Sequence, residues 1–374
     1  MKVRAAVLRQ MGLPAPYAQS QPLQLVDVEL DPPGPGELLV KVGAAGLCHS
    51  DLSVIDGSRP RVMPMVLGHE AAGIVVGCGP DTPGFAAGDQ VVFAFVPSCG
   101  HCGFCAEGRA ALCEPGAKAN VAGTLLSGAR RWHETQSTEL HHHLGVSAFA
   151  DHTVISARSA VKVDKDLPPQ IAALFGCAVM TGVGAVVNTA RVAPGQSTVI
   201  FGMGGVGLAA LLGAVAAGSD PIVAVDVLPA KLELARALGA SHCILAGPDT
   251  VAEIREATRG GADFAIETAG SEIALSQAYA ATRRGGMTVT VGLPHPQKQF
   301  SISAVSLVAE ERTVKGSYMG SAVPSRDLPR YIALYKAGRL PVDKLLTHTL
   351  KLEDINLAFD RLAKGEAVRQ VVVF

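Results

Sequence analysis

Up to about residue 165 the apolar positions fall in short β-type runs, such as 38–42, 72–76 and 90–93, each broken off by glycine or proline. Such text predicts an all-β region joined by loops. The stretch 115–145 departs from it, being polar, weakly periodic and basic, with Arg130, Arg131, His133 and the run His141 to His143. It predicts a long surface loop whose histidines are solvated rather than ligands. From about Ser197 the rhythm changes to strands at 197–201, 221–225, 262–266 and 287–291, separated by alanine-rich helical segments. Strands alternating with helices imply βαβ units and a parallel sheet. Beyond about Ser321 the chain is helical again and ends on the β run 370–374, which can return to complete the first domain. No internal repeat is evident.

At 374 residues the chain exceeds a typical single core, so two domains are expected. A net charge of -1 and a pI near 6.8 leave no electrostatic footprint for nucleic acid or an anionic membrane. Partners are therefore expected to be small molecules and copies of the chain itself. The first eight residues lack the long apolar core of a signal peptide, and no charge-free apolar run is expected to reach bilayer length. This predicts a cytoplasmic protein with no membrane partner, where thiols stay reduced and serve as ligands rather than disulfides. Cys78 and Cys243 lie near apolar stretches and are expected in the core.

The other six cysteines carry the chemistry. Cys99, Cys102, Cys105 and Cys113 are spaced by two, two and seven residues, so one looping segment can wrap four sulfurs around a tetrahedral ion. An iron–sulfur cluster is the nearest alternative, but its fourth cysteine follows after three residues and precedes proline, whereas here Glu114 follows the fourth. A disulfide loop is the other. In the second half, Gly202, Gly204 and Gly207 form G-x-G-x-x-G between an apolar strand at 198–201 and a helix at 208–217. That context suits a dinucleotide, because the glycines let the backbone approach a pyrophosphate at a helix N-terminus. Asp226 stands nineteen residues beyond Gly207, where a carboxylate can bind both ribose hydroxyls and repel a 2′-phosphate, favouring NAD. The bland reading of Asp226 is a cap for a helix at 229–238.

Cys48 to Asp51, Gly68 to Glu70 and Cys177 are too far apart for spacing to inform. Together, however, these motifs make the chain resemble the zinc-dependent medium-chain alcohol dehydrogenases, a likeness that also takes in the four-cysteine lobe, the text 142–145, Gly202 to Gly207 and the end 369–374. The resemblance implies a GroES-like, β-rich catalytic domain, 1–180 with 320–374, and a Rossmann doubly wound NAD domain, 181–319. It implies two zinc ions per chain: a catalytic one on Cys48, His69 and Cys177 with one position open, and a structural one on the four-cysteine lobe. A metal so held acidifies a bound alcohol, which then gives up hydride to NAD. Asp51 would orient the ligand histidine, Glu70 would lie near the metal, and Ser50 would take the substrate proton. His49, Thr181, Gly205, Val206, Lys231, Val291 and Arg369 match positions around the cofactor.

Two positions depart from the pattern. Where liver-type enzymes end the proton relay in histidine, this chain has Ser53, which cannot act as a base near neutral pH, so the proton must leave by water or another group. His49 replaces an arginine common over the pyrophosphate and implies a looser hold on NAD. The resulting expectation is an NAD-dependent dehydrogenase of primary or aromatic alcohols. The related glutathione-dependent formaldehyde dehydrogenases are the enzymic alternative, but they carry acidic residues where this chain has Arg59 and Arg61. A non-catalytic NAD-binding structural or sensor protein is the other, and it would not be expected to keep all three open-site ligands. The long segment 115–145 and the edge-strand text 313–318 predict a homodimer.

Overall fold

The computed structural model describes residues 1–135 and 138–374; Gln136 and Ser137, within the expected surface loop, lie outside the described residues. The chain divides into two compact units, 1–177 with 323–330 and 346–374, and 178–322 with 331–345. The sequence reading assigned everything beyond 320 to the first; instead 331–345 goes to the second, where Leu340, Val342 and Leu345 are buried.

The first unit is the β-rich one. Strands Lys2–Leu8, Leu23–Leu30, Trp132–Thr135, Thr138–His142 and Met65–Val66 close a small barrel, and a second sheet runs from Ala160–Val163 through Gln90–Phe93, Glu70–Cys78, Glu37–Gly46 and Arg369–Val373 to Leu346–Leu350. Period-two alternation sorts the side chains. Along the first strand Val3, Ala5 and Val7 join the core with Trp132 and Leu140, while Ala6 and Leu8 join the one built on Leu38, Phe93, Phe149 and Phe359. Glu37–Gly46 pairs antiparallel with Glu70–Cys78, so the text around Cys48 and that around His69 emerge side by side.

Three expectations fail here. The segment 115–145 is no loop: it contributes the helix Glu114–Ala122 and two barrel strands, because Trp132, Leu140 and His142 point inward on a period of two that its polar composition conceals. Cys78 is exposed at a strand end and Cys243 is half-buried, its thiol donating to the carbonyl of Leu232 at 3.4 Å. One apolar run does reach bilayer length, the 22-residue helix Pro169–Ala190 with a mean hydropathy of 1.9, but 89% of its most apolar window is buried inside the protein. Its apolarity serves the core.

The second unit holds six parallel strands in the order His242–Leu245, Ile222–Asp226, Thr198–Phe201, Ala262–Glu267, Thr282–Thr290 and Thr313–Gly316. Numbered along the chain, this is 3-2-1-4-5-6, whose strand order reverses between Thr198–Phe201 and Ala262–Glu267. Crevices at such a reversal receive ligands, and here the glycine-rich turn opens into it. Thr313–Gly316 forms one edge, and the short helix Ala304–Ala309 just before it leaves Val305 and Val308 about three-quarters exposed.

Candidate active site

The four-cysteine lobe is assembled locally. Sγ of Cys99, Cys102, Cys105 and Cys113 lie within 4.8 Å of one another. The Cys102 N–H donates to Cys99 Sγ at 3.3 Å, the Cys99 N–H to Cys113 Sγ at 3.2 Å, and the Gly116 N–H, in the first turn of Glu114–Ala122, to Cys113 Sγ at 3.4 Å. Backbone donors favour thiolates. Burial resists them on Cys99, yet the backbone N–H groups of His101 and Cys102 draw that thiol down to about 7, while burial and neighbouring thiols push Cys105 up to about 12. Four such sulfurs ionise together only around a cation, and the four-thiolate set fits zinc.

The second constellation lies inside the first unit. Cys48 precedes the helix His49–Ile55, His69 precedes Glu70–Cys78, and Cys177 sits in a π-helical stretch, Phe175–Val179, of the long apolar helix. A π-helical turn commonly marks a functional position. Cys177 Sγ is 3.4 Å from His69 Nε2, and the ligand atoms of Cys48, His69 and Cys177 fall within 4.8 Å of each other, all three residues buried. On the far side of the imidazole, His69 Nδ1 is 3.0 Å from Asp51 Oδ2, and Asp51 Oδ1 accepts from the Gly68 N–H at 3.2 Å. Glu70, next in the chain, points instead at Arg369, whose Nη2 donates to its Oε1. Ser50 is half-buried, His49 is exposed, and Ser53 Oγ donates to the carbonyl of His49.

In the second unit the glycine-rich turn is dictated sterically. Gly202 has φ +91°, and a Cβ on Gly207 would sit 1.7 Å from the carbonyl oxygen of Gly202. The helix starts earlier than the sequence suggested, at Gly205, so Gly204, Gly205 and Val206 lie at its N-terminus with free N–H groups. Thr268 Oγ1 donates to the carbonyls of Phe201 and Gly202, tying the two strand ends at the reversal. Asp226 is buried, its carboxylate accepting from the Met203 N–H at 2.6 Å and the Leu228 N–H at 2.9 Å. Lys231 lies in the first turn of Pro229–Ala237, and half-buried Thr181 and Val206 come together because Gly182 packs on the carbonyl of Val206. Val291, just past its strand, donates its N–H to the carbonyl of Glu267 at 2.8 Å. Thr181, Gly202 to Gly207, Asp226, Lys231 and Val291 all belong to the second unit, while Arg369 belongs to the first with Glu70.

Residues 34–165 match the family described as alcohol dehydrogenase GroES-like domain, and residues 205–337 match zinc-binding dehydrogenase. Over its whole length the chain is 40% identical to a putative alcohol dehydrogenase D of Mycobacterium tuberculosis, all of which is covered, and 38% identical to a geraniol dehydrogenase of Castellaniella defragrans, 98% of which is covered. The crystal structure of benzyl alcohol dehydrogenase from Acinetobacter calcoaceticus superposes on the full chain with a TM-score of 0.93 at 34% identity, 99% of that chain being covered. This chain belongs to the zinc-dependent medium-chain alcohol dehydrogenases. It is an NAD-dependent oxidoreductase acting on alcohols.

The electrostatics of this dehydrogenase suit a metal between Cys48, His69 and Cys177. Cys48 is held well below the usual thiol range by Cys177 and His69 against its burial, whereas Cys177 is pushed well up by the neighbouring Cys48 and by burial. A zinc ion held by these residues would favour the thiolate form of both cysteines. Burial opposes a charge on Asp51, but the imidazoles of His69 and His143 outweigh it and keep the carboxyl far below its ordinary range. Burial pushes Glu70 up to about 7 despite the pull of Arg369. The side chain that sequence reasoning missed is His143, assigned to a solvated run. It is 1% exposed, with Nε2 3.2 Å from Asp51 Oδ1 and its ring edge-on to that of His69. Spacing does not mark it, since the side chains its ring meets, Asp51 and His69, are more than seventy residues away.

Proposed function

We propose that this dehydrogenase interconverts primary or aromatic alcohols and their aldehydes, with one zinc on Cys48, His69 and Cys177 and another on Cys99, Cys102, Cys105 and Cys113. The observation that carries the reading is the buried Cys48, His69 and Cys177 trio, a two-thiolate, one-imidazole donor set that leaves a tetrahedral ion one free position. When bound there, zinc supplies the Lewis acidity that lets an alcohol ionise near neutral pH. The protein does the rest. Asp51 orients His69 and Ser50 Oγ receives the substrate proton; Ser53 donates to a backbone carbonyl and is no base, so the proton leaves by water or another group. Glu70 lies beside the ligand sulfurs as a neighbour whose charge Arg369 balances.

NAD is assigned to His49, Thr181, Gly202, Gly204, Gly205, Val206, Gly207, Asp226, Lys231 and Val291. Arg369, whose Nε has no partner among the described residues, joins them as a cation for the pyrophosphate. A homodimer is supported by the edge strand Thr313–Gly316 and the neighbouring exposed Val305 and Val308, which a twofold axis would pair with their own copies. Eight free thiols support a cytoplasmic site of action.

The test measures metal content together with NADH formation on ethanol, benzyl alcohol, geraniol and S-(hydroxymethyl)glutathione. Two zincs per chain and turnover of benzyl alcohol or geraniol are expected. Turnover of the glutathione adduct alone, or none with zinc bound, would reject the substrate class. Light scattering should return a mass near two chains.

A further inference from the structure

Asp51 is approached by three groups. The Gly68 N–H and His69 Nδ1 are two, and the third, at 3.2 Å from Oδ1, is Nε2 of His143. An ionised carboxylate can only accept, so the contact is attractive when the His143 proton sits on Nε2. Neither ring nitrogen of His143 makes an aligned hydrogen bond among the described residues, although both are buried. At 3.2 Å from Asp51 Oδ1, Nε2 therefore makes an ion–dipole contact more than an aligned hydrogen bond. A phenyl ring would fill the same space without stranding a polar nitrogen, so packing alone does not account for a histidine.

The backbone around the ring is anchored. The His143 N–H donates to Ser147 Oγ at 2.8 Å, Ser147 Oγ donates to the carbonyl of Val66 at 2.8 Å, and the His143 carbonyl accepts from the Val146 N–H at 3.0 Å. His69 is bracketed by two rings at 5.5 Å, Phe95 on one side and His143 on the other.

We infer that His143 is a positioning residue of the metal site: it fixes the Asp51 carboxylate, which in turn aims His69 Nε2 at the position between Cys48 and Cys177. The inference rests on the proposed catalytic zinc. Partners of this kind commonly change metal affinity ten- to a hundredfold, and for a residue one step further out the lower end, about tenfold, is expected.

The test uses the zinc-loaded protein carrying His143→Phe, His143→Asn or His143→Gln. Zinc affinity of the more labile site is read by chelator competition, and the ligand field by the visible spectrum after exchanging that site to Co2+. His143→Phe and His143→Asn, which cannot reach Asp51 with a donor, should weaken zinc about tenfold and alter the cobalt bands. His143→Gln, whose amide nitrogen can take the place of Nε2, should stay within about threefold of the parent. Should the phenylalanine variant not fold, the contrast between Asn and Gln decides. Unchanged affinity in His143→Asn, or equal loss in Asn and Gln, overturns the inference. Cys177→Ser is the control: if it retains both zincs, the site assignment itself is wrong and the role of His143 falls with it.

Discussion

Arg369 grips Glu70 inside the first unit, with Nη2 on Oε1 and the two side chains 4% and 0% exposed. The pair joins the last strand, Arg369–Val373, to the strand that follows His69, so the chain's end is locked beneath the candidate metal ligands. Cutting one partner away leaves an uncompensated buried charge, whereas removing both leaves none.

Arg369→Met should therefore destabilise the protein by about 3–5 kcal/mol, and the double variant Glu70→Gln with Arg369→Met by clearly less. Calorimetry on all variants checks this. A double-variant loss equal to the sum of the two single losses would mean that the two side chains contribute independently.

Cys177→Ser and Cys102→Ser should fail in different ways. The first removes a ligand of the open site, so turnover and one zinc per chain are lost while the fold persists. The second breaks a closed site whose metal contributes folding free energy, so thermal stability falls first. Metal analysis, melting and kinetics on both variants separate the two, and normal activity in Cys177→Ser rules out the catalytic assignment.

In the proposed cofactor site Asp226 does two jobs, since its carboxylate also supports the Met203 and Leu228 N–H groups. Asp226→Ser should raise kcat/KM for NADP relative to NAD by about tenfold or more, equivalent to roughly 1.4 kcal/mol. It should also cost some stability through the lost acceptors, about 1–3 kcal/mol. A stability loss with an unchanged cofactor ratio would leave Asp226 as a backbone cap alone.

His142 gives the barrel an acid weakness. Burial, reinforced by Arg131 and Arg130, drives its pKa down to about 3, and Nε2 accepts the Arg131 N–H at 3.2 Å, which requires the neutral ring. Because the folded value lies below the unfolded one, the stability tied to the neutral form is complete above about pH 6.5. It is lost as pH falls toward 3, at up to about 1.4 kcal/mol per pH unit. His142→Gln keeps an acceptor but does not titrate, so denaturant unfolding should show a shallower acid limb in the variant. Parallel limbs between pH 6 and 4 would contradict the buried neutral histidine.

Local chemistry was legible in the amino-acid sequence alone. The four cysteines within fifteen residues, the glycine-rich turn with Asp226 behind it, and the change from β runs to alternating strands and helices each depend on neighbours in the chain, and the structure keeps them. Their physics is short-ranged: ligand spacing, a steric need at Gly207, and periodicity of burial. What tertiary structure decided is where distant polar groups end up. Residues 115–145 read as solvent-facing because their composition is polar, yet barrel closure buries Trp132, Leu140 and His142, and His143 reaches Asp51. No apolar run is expected to reach bilayer length, yet Pro169–Ala190 forms one 22-residue helix, buried within the protein, that delivers Cys177 to His69. The contact of Arg369 with Glu70 follows from the antiparallel pairing of its strand with the strand before Cys48, which lies over three hundred residues earlier. Contacts between residues so far apart in the chain are set by sheet register and core closure, which no window of sequence contains.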